Sequence, residues 1–335
     1  HSDHRVTRQR LLLSGEISMG LRHVARTVHS MTVASFALLV ATSASNVLGA
    51  EVSDGANIRI ATFEAPSGEG YFAASIQPSA DDALLEAVRS QPADVVVIVD
   101  TSATQVGEFR TDSIAALRSI SSSLRSDDRV RVYAADVQAT DLSGKFVSGK
   151  QVDNAVGQLK KRLPLGNTNL MSAIDTVRAA LVSQPSDRTR SIVYIGDATS
   201  IDALGNESRF ASLIDALRAD QIAVHSVAIG ATKNIELMAI LANQTGGVLG
   251  VVGDDAENNA TSIARRVGGS AIMSPIWLTE ARLVDGMKSI QNDRLPPLRL
   301  DRDSILLGTI SDGANGGSLD LLGKTSGSTV RIQAE

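Results

Sequence analysis

The sequence predicts a doubly wound, mostly parallel α/β sheet flanked by helices, with a small β-rich C-terminal appendage. Apolar runs of strand length recur at Val95–Val99, Val130–Ala134, Ile192–Ile195 and Ile222–Ile229. Stripes at helical spacing separate them: Ile114, Leu117, Ile120 and Leu124; then Leu170, Ile174, Val177 and Leu181; then Phe210, Leu213, Ile214 and Leu217. Strands apolar on both faces, alternating with amphipathic helices, belong to a parallel sheet covered on both sides. With 335 residues, 43% of them hydrophobic, the chain can bury a core of that size.

Residues 1–50 differ from the rest. They hold five arginines against two acids, and an acid-free stretch from Thr27 to Ala50 follows Arg22 and Arg26. The apolar centre Val33–Ala41 and the small residues up to Gly49-Ala50 complete the order of a secretory signal peptide: basic start, short apolar middle, small-residue cleavage site. The centre is shorter than the roughly 20 apolar residues of a membrane span. Export with cleavage near Glu51 is therefore expected, and membrane association could come only through an uncleaved N-terminus. Met19 is a more conventional start than His1, so residues 1–18 read as an over-extended frame.

Residues 51–92 read as an N-terminal β-like segment and a lead-in helix, with strand-like Asn57–Thr62 and Tyr71–Ile76 around a turn at Pro66–Gly70. The α/β domain is expected over 93–272. Residues 273–335 change character: Pro296-Pro297, Asp301-Arg-Asp303 and the Gly-rich Asp312–Gly317 surround short β-like pieces such as Ile305–Ile310. The sequence stops within a strand-like run, Thr329–Ala334, so this β-rich segment reads as truncated.

Composition removes several function classes. Only ten residues are aromatic, which argues against a stacking platform for single-stranded nucleic acid or sugars. A formal charge of −5 argues against a general binder of phosphate backbones. The absence of cysteine excludes disulfides, thiol nucleophiles and Cys-ligated metals. His225 is the only histidine after residue 50 and alternates within a strand, so His-dependent triads and His-rich zinc sites have no support.

Ligands of such sheets sit beyond the carboxyl ends of the parallel strands. Val95–Val99 runs directly into Asp100-Thr-Ser102-Ala-Thr104, Ile192–Ile195 into Gly196-Asp197-Ala198, and Leu165-Gly-Asn-Thr168-Asn-Leu170 opens a helix. Two carboxylates and three hydroxyls are an all-oxygen donor set of low charge. Such a set suits Mg²⁺ or Mn²⁺, with water and an outside ligand completing an octahedron. Ser, Thr and Asp at strand-to-helix turns also cap helices without any metal, the structural alternative.

This arrangement resembles the von Willebrand factor type A family with its metal-ion-dependent adhesion site, over residues 93 to 272. The family pattern D-x-S-x-S, a loop Thr and a later Asp falls on Asp100, Ser102, Thr104, Thr168 and Asp197. Ile229-Gly230 and Asn243–Gly247 are also family-like. Two departures stand out: Thr104 replaces the usual Ser, and Gly196-Asp197-Ala198 replaces Thr-Asp-Gly. The resemblance implies that Ser102, Thr104 and Thr168 ligate the ion directly, that Asp100 and Asp197 act largely through water, and that a protein partner supplies an Asp or Glu as the sixth ligand. It implies a non-enzymatic interaction module, which the N-terminal segment marks as exported. The alternative is a structural scaffold subunit of a cell-envelope assembly in which metal is dispensable. No general base accompanies the site, which leaves a metal hydrolase unsupported. Asp100, at a strand end, is expected to face solvent, so that Asp100→Ala removes metal binding with little effect on folding.

Four further motifs carry no function. Leu322–Thr325 lacks the earlier glycine of a phosphate loop and reads as a turn. Lys160-Lys-Arg162 reads as a solvated face. Asp301-Arg-Asp303 and Asp312-Gly313 lack the twelve-residue pattern of a calcium loop. The sequons at Asn206 and Asn259 are uninformative without a source organism.

Overall fold

The computed structural model describes residues 56–80, 82–183, 186–200, 202, 206–290, 294–311, 319–325 and 328–334. The expected signal segment, residues 1–50, and the Gly-rich run, residues 312–317, lie outside them. In chain order the elements begin with the hairpin β1 (Ala56–Glu64) and β2 (Gly70–Pro78) and the helix α1 (Asp82–Arg89). There follow β3 (Ala93–Asp100), α2 (Glu108–Ser123), β4 (Arg129–Ala135), β5 (Ala139–Asp141), α3 (Asp153–Lys161), α4 (Leu170–Val182) and β6 (Thr189–Gly196). Next come α5 (Glu207–Ala219), β7 (Ile222–Ala228), α6 (Ile235–Thr245), β8 (Leu249–Val251) and α7 (Ala260–Ala271). The chain closes with β9 (Trp277–Arg282), β10 (Met287–Ser289), β11 (Ser304–Ile310), β12 (Leu319–Thr325) and β13 (Ser328–Ala334).

The central sheet has the order β5-β4-β3-β6-β7-β8, parallel except for the edge strand β5. Every residue of β3 is buried, because alternate side chains enter two separate cores. Val95, Val97 and Val99 pack with Leu117 and Ile120 of α2, Val156 and Leu159 of α3, and Ile263 and Val267 of α7. Val96, Ile98 and Tyr194 pack with Leu170, Ile174 and Val177 of α4, Leu217 of α5 and Met238 and Leu241 of α6. The crossover in strand order between β4 and β6, either side of β3, opens the crevice where ligands of such sheets bind. The α/β prediction therefore holds, including the β-rich C-terminal part.

The segments before and after this domain combine. β11 pairs antiparallel with β2 across its whole length, giving the sheet β1-β2-β11-β10, and β13-β12-β9 form a second antiparallel sheet. Ile58, Phe72, Ile76 and Leu306 of the first pack against Leu321 and Ile332 of the second, together with Ile276 and Leu298 of the connecting chain. Leu322–Thr325, expected as a turn, lies inside β12 instead; its alternating burial, with Leu321 and Thr325 inward, is that of a half-buried strand. Among the described residues no helix is long and apolar enough to cross a membrane.

A buried arginine joins the two parts. Arg299 donates to the Gly246 carbonyl beyond α6 (2.9 Å), the Ser270 carbonyl of α7 (2.9 Å) and both oxygens of Asp301 (2.5 and 2.7 Å). Arg302 donates to the Gly247 carbonyl at 2.8 Å. The acidic pair that the sequence offers as a calcium candidate is thus engaged: Asp301 with Arg299, and Asp303 with the Ser75 hydroxyl at 2.6 Å. Arg299 holds the Asp301 carboxyl at about 2, outweighing the upward push of its burial.

Candidate metal centre

Asp100 ends β3 and Asp197 follows β6 directly, so the parallel pairing of these neighbouring strands sets the two carboxylates side by side at the sheet's carboxyl edge. The third contribution comes over the top. The loop between α3 and α4 is tied to the turn after β3 by Leu165 N–H to the Thr101 carbonyl (3.0 Å) and Ala103 N–H to the Gly166 carbonyl (2.9 Å). This places Thr168 above Asp100. Its hydroxyl donates to both Asp100 oxygens, at 2.9 and 3.0 Å.

All five predicted side chains are joined in one network. Ser102 N–H donates to Asp100 Oδ1 at 2.8 Å, and the Ser102 and Thr104 hydroxyls lie 3.0 Å apart. The Thr104 hydroxyl donates to Asp197 Oδ2 at 2.6 Å. With that proton committed, Ser102 is the donor in the Ser102–Thr104 pair. The hydroxyl hydrogens of Thr104 and Thr168 therefore point at carboxylates, and lone pairs are what these oxygens have left to offer. That polarity fits a small hard cation taken by hydroxyl oxygens, with the carboxylates behind them. Thr104 is exposed, whereas Asp100, Ser102, Thr168 and Asp197 are buried, so an ion would be approached from the Thr104 side. Among the described residues no three acidic or histidine side chains converge, so any cation here depends on hydroxyls and water.

Asp100 does not face solvent. It is 2% exposed, since Thr168 covers it from above and Tyr194 from below. The expectation that its removal spares the fold is therefore corrected: it is a junction of three chain segments. Burial pushes its carboxyl pKa up; the hydrogen bonds from Tyr194 and Ser102 oppose this and the charge of Asp197 adds to it.

Sequence reasoning missed several residues that build the site. Fully buried Tyr194 donates to Asp100 Oδ2 at 2.6 Å and accepts from Ala198 N–H at 3.0 Å; burial and the Asp100 charge raise its pKa well above the usual value. Tyr194 accounts for the departure at position 196. A β-carbon there would stand 2.5 Å from the Tyr194 hydroxyl and 2.4 Å from the Asp100 β-carbon, so only glycine fits. The departure at 198 carries a backbone cost instead: Ala198 holds φ 56°, a left-handed conformation that glycine takes without strain. Gln105 donates to Asp197 Oδ2 (3.1 Å) and the Ile229 carbonyl (3.2 Å). Asp202 accepts from the Met171 and Ser172 N–H groups, and Ser200 from Leu170 N–H. Residues from the β6–α5 loop thus cap α4 and couple the Thr168 and Asp197 loops. Only the glycine at 196 signalled any of this in the sequence.

Residues 93–251 match the family model of the von Willebrand factor type A domain. No curated protein matches the chain in sequence. Among solved structures, a von Willebrand factor type A protein from Catenulispora acidiphila aligns at 14% identity and a TM-score of 0.53, over 87% of this chain and 75% of its own. The ArnB paralog VWA2 from Sulfolobus acidocaldarius aligns at 17% identity and a TM-score of 0.50, over 86% of this chain and 74% of its own. At these identities the likeness is one of fold.

Proposed function

We propose that residues 93–251, the segment matching the von Willebrand factor type A domain, bind a protein partner through a divalent cation held at the end of β3. The family is generally one of protein-interaction modules, not enzymes. The observation that carries the reading is the polarity of the network: two hydroxyl hydrogens turned to two carboxylates, with oxygen lone pairs left over. Ser102, Thr104 and Thr168 would hold Mg²⁺ or Mn²⁺ directly, and Asp100 and Asp197 would order its waters. The cation supplies an electrophilic centre for a carboxylate oxygen. With both protein carboxylates set back, an Asp or Glu of the partner completes the sphere.

Mg²⁺ takes six oxygens at about 2.0–2.1 Å, whereas Ca²⁺ prefers six to eight at about 2.3–2.6 Å. The Thr104 methyl and the covering Thr168 favour the smaller sphere. Calorimetric titration is expected to give binding of Mg²⁺ and Mn²⁺, weak binding of Ca²⁺, and a loss of about tenfold in Mg²⁺ affinity for Thr168→Ala. That variant also loses about 1–3 kcal/mol of stability, because the buried Asp100 carboxylate is deprived of a donor. Equal heats for all three ions, or none, would reject the metal reading.

One observation favours the second reading, a scaffold subunit without obligatory metal. Asp100 and Asp197 each already accept at least three hydrogen bonds from the protein, so the network is complete without an ion. In that case the β1–β2 hairpin and strands β9–β13 would make the contacts, and a chelator would leave assembly unaffected.

The same reading places the domain outside the cytoplasm, because residues 1–50 have the order of a signal peptide. N-terminal sequencing of the mature protein is expected to begin near Glu51. An intact N-terminus on protein recovered from the cytosol would overturn export.

A further inference from the structure

The rim around this site is apolar. Leu163 and Leu165 are 81% and 73% exposed, the highest values among the large hydrophobic residues described, and Val137 and Val106 are 55% and 52% exposed. Nothing in their sequence pattern marks them as core, and exposed leucines on a short loop have no packing role.

Their positions converge. Leu165 is hydrogen-bonded to Thr101, beside Asp100. A methyl of Val137 lies against Gly166, 3.0 Å from where a β-carbon would stand. The Val137 carbonyl accepts from the Asn169 side chain at 3.0 Å, next to Thr168. Leu163 follows Arg162, whose guanidinium donates to Thr101 Oγ1 (3.1 Å) and Asp136 Oδ2 (2.6 Å). Val106 follows Gln105, whose side chain donates to the Asp197 carboxylate. The apolar side chains thus come from two of the loops that carry the site, those after β3 and α3, and from the β4–β5 turn that is bonded to the second of them.

Several polar groups of this rim are engaged within the protein. Arg162, expected on a solvated face, is paired with Asp136, so their charges cancel. The Leu165 and Ala103 N–H groups are bonded within the loops and cannot serve a ligand's hydroxyls. A sugar or a highly charged segment would therefore find few partners beside the cation, whereas apolar side chains would find several.

We propose that the partner is a protein segment with a single Asp or Glu flanked, within two residues, by large apolar side chains that seat on Val106, Val137, Leu163 and Leu165. This rests on the metal reading above. One carboxylate meets the cation's remaining charge, and the apolar flanks cover a collar that water otherwise wets. The carboxylate sets the register and the collar selects the sequence around it.

The test uses a phage-displayed library of random twelve-residue peptides, selected on the protein in Mg²⁺, with Mn²⁺ affinity measured separately without peptide. Enriched peptides are expected to share one Asp or Glu with a large apolar neighbour on at least one side. A synthesised winner should lose about tenfold or more in affinity for Leu163→Ser/Leu165→Ser. Mn²⁺ affinity of that variant should equal wild type. Carboxylate peptides with polar flanks, or a winner indifferent to the double variant, would overturn the collar while leaving the metal reading intact. Winners that lack a carboxylate and bind equally in chelator would overturn both. An empty selection would reject a linear apolar–acidic partner. Binding to phosphatidylcholine–phosphatidylglycerol vesicles that is lost in the double variant would assign the leucines to a lipid surface instead.

Discussion

Asp100→Ala is expected to abolish Mg²⁺ binding and to cost about 2–4 kcal/mol of folding stability as well. The carboxylate accepts from the Tyr194 hydroxyl, the Thr168 hydroxyl and Ser102 N–H, and none of these three donors has water access to replace it. A buried donor left without an acceptor costs about 1–3 kcal/mol. Relief from burying a carboxylate whose pKa is raised, chiefly by desolvation, offsets part of the sum. Asp100→Asn keeps one acceptor oxygen and should lose metal binding with a smaller stability change. Urea denaturation of both variants beside a Mn²⁺ titration checks this. If Asp100→Ala were as stable as wild type, the three hydrogen bonds would contribute nothing net, and the junction role would be wrong.

Arg299→Ala should lower stability by about 3–4 kcal/mol, read as a fall of roughly 8 °C or more in the calorimetric midpoint. The side chain is 1% exposed, and its loss leaves the Gly246 carbonyl without its donor, takes one donor from the Ser270 carbonyl, which Met273 N–H still serves, and removes the charge partner of Asp301. Asp301→Asn keeps the arginine and should cost less, because its side chain is 22% exposed and reaches water. The same joint sets a pH dependence through His225. The His225 pKa is held well below its usual 6.5 by burial first and by the nearby Arg299 charge second, with Arg302 adding to the effect and Asp301 opposing it. The unfolded chain therefore binds a proton near pH 6.5 that the folded chain refuses. The stability tied to His225 is full above that pH and falls by up to about 1.4 kcal/mol per unit below it. His225→Asn, which can still accept from Val248 N–H, should remove that slope between pH 6.5 and 5 in urea midpoints. An unchanged slope would mean that His225 takes up its proton in the folded state.

The central sheet was legible because its signals are local. A run such as Val95–Val99 must be covered on both faces wherever it lies, and Leu170, Ile174, Val177 and Leu181 form one stripe on any helix. Asp100, Ser102, Thr104, Thr168 and Asp197 could be picked out for the same reason, since strand ends are where polar residues interrupt apolar runs. Whether those five were solvent-facing or enclosed was another matter. Asp100 is enclosed because Tyr194 and Thr168 reach it from 94 and 68 residues away, and no local pattern encodes that approach.

The pairing of β2 with β11 was invisible for a similar reason. The strands lie more than 200 residues apart, and alternation tells which face of a strand is buried but not which strand lies beside it. Composition, apolar period and the order of oxygen donors along the chain were enough to set the α/β class and to name the residues of the candidate site. The shared sandwich of the two terminal segments, the Arg299 joint, the enclosure of Asp100 and the apolar rim above it arose only on folding. Each depends on a contact between distant segments, where backbone geometry and the exclusion of water, not residue type, decide what a side chain meets.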